Sequence, residues 1–416
     1  MKAMPRLSTA AIAAIAVLGT TAGSASASAS RPGRPTPSHH HAHRLARLSE
    51  PGHHPVLRPP PFHPPVIPPP VVHGPDHAVF VQSDNPGGNQ VVAYDRAGNG
   101  TLTKTAAYDT GGLGGVLGGS EVDHLASQGS LTYDPADGLL YAVNAGSNTV
   151  SVFAVFGDGL ALRQVISSGG TFPVSVTVSH GLVYVLNAEE GGSVQGYTVA
   201  LGHLFPIPGS NRALGLNPLA TPQFTTTPGQ VAFTPDGSRL IVTTKANGND
   251  IDVFHVGPGG QLSATAVVNS EPGTVPFGVL FDPQGNLVVA ESAGAIATFR
   301  LNPNGTVTQL DALESGQKAT CWVVEVGADP FTSNPGSASL SGFQDGAGGT
   351  LTSLGNTETD AGTVDASVSG DGRFLYVQAG GAGIVDEFAI GAQGSLTKIG
   401  SVTVPSAVGG EGIAAQ

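Results

Sequence analysis

From Ala78 onward, apolar and polar positions recur in one order: an apolar strand, a polar turn, an alternating strand closed by an aromatic, a glycine-rich turn and a further strand. Clear copies are "LLYAVNAGSNTVSVFAVFGDGLALRQV", "LIVTTKANGNDIDVFHVGPGGQLSATAV" and "RFLYVQAGGAGIVDEFAIGAQGSLTKIG". Period-two alternation bounded by glycine, asparagine and aspartate predicts short strands joined by tight turns. The closing aromatic falls at Tyr94, Phe153, Tyr197, Phe254, Phe299, Phe343 and Phe388, in steps of 59, 44, 57, 45, 44 and 45 residues. Two steps are long because residues 109–128 and 206–228 interrupt the pattern. Seven copies of four short strands predict an all-β fold, a seven-bladed β-propeller, with the aromatics filling equivalent positions between blades.

The first copy, which opens "HAVFVQSDNPGGNQ", lacks the innermost strand that the other six have. The chain ends "GGEGIAAQ". This tail is predicted to supply the missing strand, so that the C-terminus closes the first blade and leaves no open edge.

Composition agrees. There are 60 glycines and only 11% charged residues, the signature of a turn-rich β protein. The N-terminus departs from the repeat. Lys2 and Arg6 precede the apolar stretch "AAIAAIAVLG", and "ASASAS" follows. This reads as a secretory signal peptide over residues 1–27, too short for a membrane span, and the protein is expected to be secreted and extracellular. Residues 28–77 read as a Pro/His-rich disordered linker of polyproline II character, and residues 78–416 as the propeller. The linker holds nine of the 13 histidines. "HHHAH" has metal-ligating side chains, but a flexible segment does not orient them, so no metal is expected.

Up to residue 77 there are seven Lys and Arg against two acids; beyond it there are ten against 28. A strongly acidic folded part argues against nucleic acid as a partner. The single cysteine, Cys321, precludes an internal disulfide; in "TCWVVEV" it reads as a buried, inert thiol. A monomer is expected.

Catalytic motifs such as H-E-x-x-H, G-x-S-x-G or a P-loop do not occur in this sequence. The starts of the innermost strands face the propeller axis. By register these are Ser130, Ser175, Gln230, Gly278, Asp365 and Gly412, with Cys321 and Trp322 in the sixth blade. Asp365 and Glu411, from adjacent inner strands, are candidates for general acid/base work at the channel mouth. The competing reading makes one a solvated turn residue and the other a partner of strand-end amides. His124, in the first insertion, is the third catalytic candidate. Gln230, Lys245 and Trp322 are the substrate-binding candidates. Lys245, read inside a second strand, either anchors an anionic ligand or neutralises local acids. No cofactor is expected; the glycines are turn glycines.

The repeats "FTPDGSRLIVTTKANGNDIDVF", "YDPADGLLYAVNAGSNTVSVF" and "VSGDGRFLYVQAGGAGIVDEF" resemble the seven-bladed lactonase family, which holds propeller-type 6-phosphogluconolactonases and carboxymuconate cyclases. The resemblance covers about residues 78–416. It implies hydrolysis or formation of a sugar-acid or muconate-type lactone at the channel mouth, without metal, by His, Glu and Arg around the channel. The chain departs from that pattern. "QGSL" and "GQVA" stand where such relatives tend to have a histidine, and no arginine sits at an inner-strand end. The alternative is a non-catalytic extracellular scaffold that binds a protein or an envelope glycan.

Overall fold

The computed structural model describes residues 77–416; the signal peptide and nearly all of the linker expected above lie outside the described residues. Seven antiparallel sheets follow one another along the chain. Blades 2 to 7 begin with the inner strands Leu131–Asp134, Pro173–Ser179, Val231–Phe233, Pro276–Phe281, Trp322–Val326 and Thr363–Val368. Blade 1 is ordered Ile413–Ala415, Ala78–Gln82, Gln90–Arg96, Leu102–Asp109. The C-terminal strand is thus the inner strand of the first blade, with Phe80 opposite Ala414, and the Gln416 amide donates to the Ala78 carbonyl.

The seven closing aromatics all lie on third strands and are buried. In blades 1, 2, 5, 6 and 7 the pairing with the outer strand slips immediately before the aromatic. A bulge there re-aims the side chain. Tyrosines add directed links between blades. The Tyr94 hydroxyl donates to Thr403 O at 2.9 Å, from blade 1 to blade 7, and Tyr197 to Ser167 O at 2.6 Å, from blade 3 to blade 2. Tyr376 reaches Gly100 O in the outer hairpin of blade 1 at 2.8 Å. Gly100 has φ +91°, and a Cβ there would fall 2.2 Å from the Phe374 ring, so both conformation and contact require glycine.

The two interruptions differ in kind. Residues 110–130 are irregular throughout. Within 206–228, Arg212–Ala213 instead pairs with Ser193 and Val194 and completes the outer strand of blade 3, which a turn splits after His203–Pro206. The short helix Gln223–Thr226 follows. Turns between second and third strands, and links between blades, emerge at one end of the axis. The first insertion and the remainder of the second, after Ala213, are links between blades, so both lie at that end. Among the described residues no helix is long and apolar enough to cross a membrane.

Candidate active site

The first insertion brings its last residues onto the ends of the inner strands. Leu117, Leu125 and Ala126 are buried in the core of blades 2 to 4. Residues 123–129 then lie over the axis. The His124 amide donates to Gly409 O at 2.7 Å, next to the C-terminal strand. The Trp322 indole, from blade 6, donates to Ser127 O at 2.5 Å. Gln128 pairs with Val323 through both ends of its amide, at 2.8 and 3.0 Å, and its own carbonyl accepts from the Ser175 hydroxyl. One segment therefore touches blades 1, 3 and 6.

Beneath and within this segment lies a buried set of ionisable groups. The Asp123 and Glu411 carboxyls hydrogen-bond each other. Glu411 also accepts from the Ser127 hydroxyl and amide. Asp84, in a turn of blade 1, accepts the Glu411 amide at 2.7 Å and the Gln82 side chain. Burial pushes all these carboxyls up: Asp84 to about 7, and Asp123 and Glu411 above the usual carboxylate range. Repulsion between Asp123 and Glu411 adds to the rise at Glu411. Asp365 is buried too; burial, helped by the charge of Asp123, pushes it up to about 7, although it accepts the Ala366 amide.

Lys245 corrects an expectation. It lies past the end of its second strand, Arg239–Thr243, in the helical turn Lys245–Gly248, and is 1% exposed. Its ammonium donates to Ala126 O at 2.5 Å and to Phe224 O at 2.8 Å, and sits 5.2 Å from the centre of the Phe277 ring. It joins the two insertions and faces Asp123 and Glu411. Burial lowers it to about 8, against the pull of those acids.

The other candidates occupy varied places. His124 belongs to the covering segment and packs against Gly409, where a Cβ would fall 2.1 Å from its Nε2. Its Nδ1 is buried without a partner, and desolvation lowers its affinity for a proton. Trp322 packs on Phe277 with ring centres 4.8 Å apart. Gln230 ties blade 4 to blade 5 by accepting the Val279 amide at 2.6 Å. Asp365 and Glu411 are both brought to the axial end, but each is buried, and the carboxyl that Glu411 meets is Asp123. Neither is a solvated turn residue. Asp84, Ser127 and Gln128 were outside the candidate set. A buried serine, a glutamine and a turn aspartate carry no motif, and the acids Glu121 and Asp123 of the first insertion are the only signal the sequence offers.

The family described as "Lactonase, 7-bladed beta-propeller" matches residues 94–409 of this chain. No curated protein matches. Among solved structures, a candidate 6-phosphogluconolactonase from Bacteroides uniformis superposes with TM-score 0.67 at 17% identity, covering 81% of this chain and 99% of its own. The periplasmic gluconolactonase of Pseudomonas aeruginosa gives TM-score 0.65 at 18% identity, over 81% and 98%. A candidate 6-phosphogluconolactonase from Bacteroides fragilis gives 0.62 at 20%, over 80% and 96%. At these identities the likeness is one of fold.

Proposed function

The chain belongs to the lactonase family of seven-bladed β-propellers, and from that premise we propose that it hydrolyses or forms an uncharged lactone at the covered end of the axis. The observation that carries this reading is the Asp123–Glu411 pair, buried and hydrogen-bonded carboxyl to carboxyl. Two carboxylates in contact do not both ionise, so the pair holds one proton over the pH range where single carboxyls have lost theirs. Lactone hydrolysis needs that combination. The ionised member takes a proton from water as its oxygen attacks the ester carbonyl. The protonated member gives its proton to the ring oxygen as the C–O bond breaks. One water is consumed, a hydroxy acid is formed, and the pair ends with one proton. Lys245 holds Ala126 and Phe224 with two of its three N–H donors and keeps the covering segment in place. Four buried carboxyls and a single ammonium disfavour an anionic substrate. Export by the N-terminal signal, a monomeric state and chemistry without metal belong to the same proposal.

A second reading has its own support. The chain's own residues 123–129 fill the axial end, as they would in a scaffold that uses its outer loops to bind a protein or glycan. Hydrolysis of neutral and phosphorylated aldonolactones, followed by pH-stat with the full chain, separates the two. The enzyme reading expects turnover of the neutral compounds, reduced roughly 100-fold or more in Glu411→Gln. Absence of turnover on every lactone favours the scaffold.

A further inference from the structure

Glu411, Asp84 and Asp365 are inaccessible while residues 117–129, which carry Asp123, lie over them, so the fastening of this segment decides whether the site works. Lys245, Trp322 and Gln128 hold it by side chains, and backbone bonds reach it singly, as from Gly409 and Gly229. No strand pairing includes it. Its upstream part is tied to the second insertion, where the Gly118 amide donates to Gln223 Oε1 at 2.7 Å and Gly118 O accepts from the Phe224 amide. Glycines with positive φ stand near both ends, Gly119 at +88° and Gly129 at +84°.

Within the segment, Ala126 is held at φ +49°, the left-handed region that side chains disfavour. The residue that grips its carbonyl, Lys245, is itself at +50°. Two strained residues joined by one buried ammonium form a contact that persists only while its surroundings enforce it. Leu117, Leu125 and Ala126 supply the apolar anchorage that opens with it.

We propose that residues 117–129 are a removable cover over Glu411, Asp84 and Asp365, latched by Lys245, which brings Asp123 onto Glu411 when closed and opens as a unit while the seven blades stay folded. The proposal rests on the lactonase reading for its purpose and is tested without turnover. The molecule contains its own reporters. Its only tryptophan donates to Ser127 under the cover, and its only cysteine is the adjacent residue, buried, with its thiol within electrostatic reach of Asp123 and Lys245.

The experiment is modification of Cys321 in the full chain by a thiol reagent across urea concentrations below the unfolding transition, with acrylamide quenching of Trp322 in parallel. A cover that opens locally exposes little surface, so the labelling rate is expected to be nearly independent of urea there. Lys245→Met is expected to raise the rate roughly tenfold or more, and Gln223→Ala by a few-fold, with the far-ultraviolet circular dichroism of both unchanged. Should Lys245→Met fail to fold, the urea dependence of the wild type decides alone. Labelling that follows global unfolding, with its full urea slope, overturns the proposal. Urea-independent labelling in a protein that turns over no lactone keeps the cover and rejects the lactonase reading.

Discussion

The walls between blades and the groups held under the cover at the axis are both buried, and they are built from opposite materials. A wall such as that between blades 4 and 5 gathers Ile241, Ile251, Val253, Val279, Leu287, Val289 and Phe299. The cover and the strand ends beneath it gather Asp84, Asp123, Glu411, Asp365, Ser127, Gln128 and Lys245. Apolar walls tolerate small errors of position because their attraction is non-directional. A buried polar set does not: each carboxyl needs a partner, a proton or both. The walls therefore account for the stability of the ring, and the cover concentrates whatever chemistry the chain has.

Breaking a wall should have the largest effect. Deletion of residues 412–416 removes the inner strand of blade 1 and leaves Ala78–Gln82 as an open edge. The truncated chain is expected to lose the cooperative urea transition; a transition like that of the full chain would refute closure by the C-terminus. Phe299→Ala, within an intact ring, should cost about 3–5 kcal/mol in urea unfolding, the price of an aromatic-sized cavity. Lys245→Met attacks the cover instead. It leaves Ala126 O and Phe224 O without their donor and the acids without their counter-charge, at about 2–4 kcal/mol. The comparison is sharpened if Phe299→Ala lowers the whole transition while Lys245→Met acts mainly on Trp322 quenching and Cys321 labelling.

The smallest effect is that of pH. Asp84 and Asp365 have folded values of about 7, and Asp123 and Glu411 are also raised, so the folded cover binds more protons than the unfolded chain. Stability from these groups is fully present below the ordinary carboxylate range and is lost as pH rises towards about 7. Lys245, lowered to about 8, acts in the other window: its contribution returns as pH rises above 8. Of the other titratable groups facing the cluster, Cys321, pushed up to about 12, stays neutral throughout, while His124, lowered by burial from its free value of 6.5, works against the carboxyls at pH 5, where an open cover lets it take up a proton; the four carboxyls outnumber it. Cover opening, read by Cys321 labelling corrected for the reagent's own pH dependence, should be slower at pH 5 than at pH 7.5. Asp252 and Glu291, each about 7 and in blades 4 and 5, shift global stability in the same direction, so a melting temperature alone does not isolate the cover.

The same contrast explains what could be read from sequence. Walls repeat about every 45 residues, so Tyr94, Phe153 and their five counterparts announced the blades, and the missing inner strand of the first copy pointed to Ile413–Ala415. The cover occurs once. Asp365 and Glu411 were placed at the axial end by register, which is a property of strands. The meeting of Glu411 with Asp123 depends on the path of an irregular segment, and spacing does not encode that path. Lys245 was misplaced by two residues for a related reason: the strand ends at Thr243 and the chain turns inward through a left-handed residue. Arg212 and Ala213 were assigned to an insertion because the turn before them hides the continuation of a strand.

The central claim is that Asp123 and Glu411 share a proton at neutral pH. Carboxyl-labelled NMR of the wild type and of Glu411→Gln, titrated from pH 3 to about 9, measures this directly. The account predicts a buried carboxyl still protonated at about pH 7 in the wild type, whose titration changes in Glu411→Gln. Ionisation of every Asp and Glu carboxyl below about pH 5 would contradict it, and with it the acid/base role at the axis.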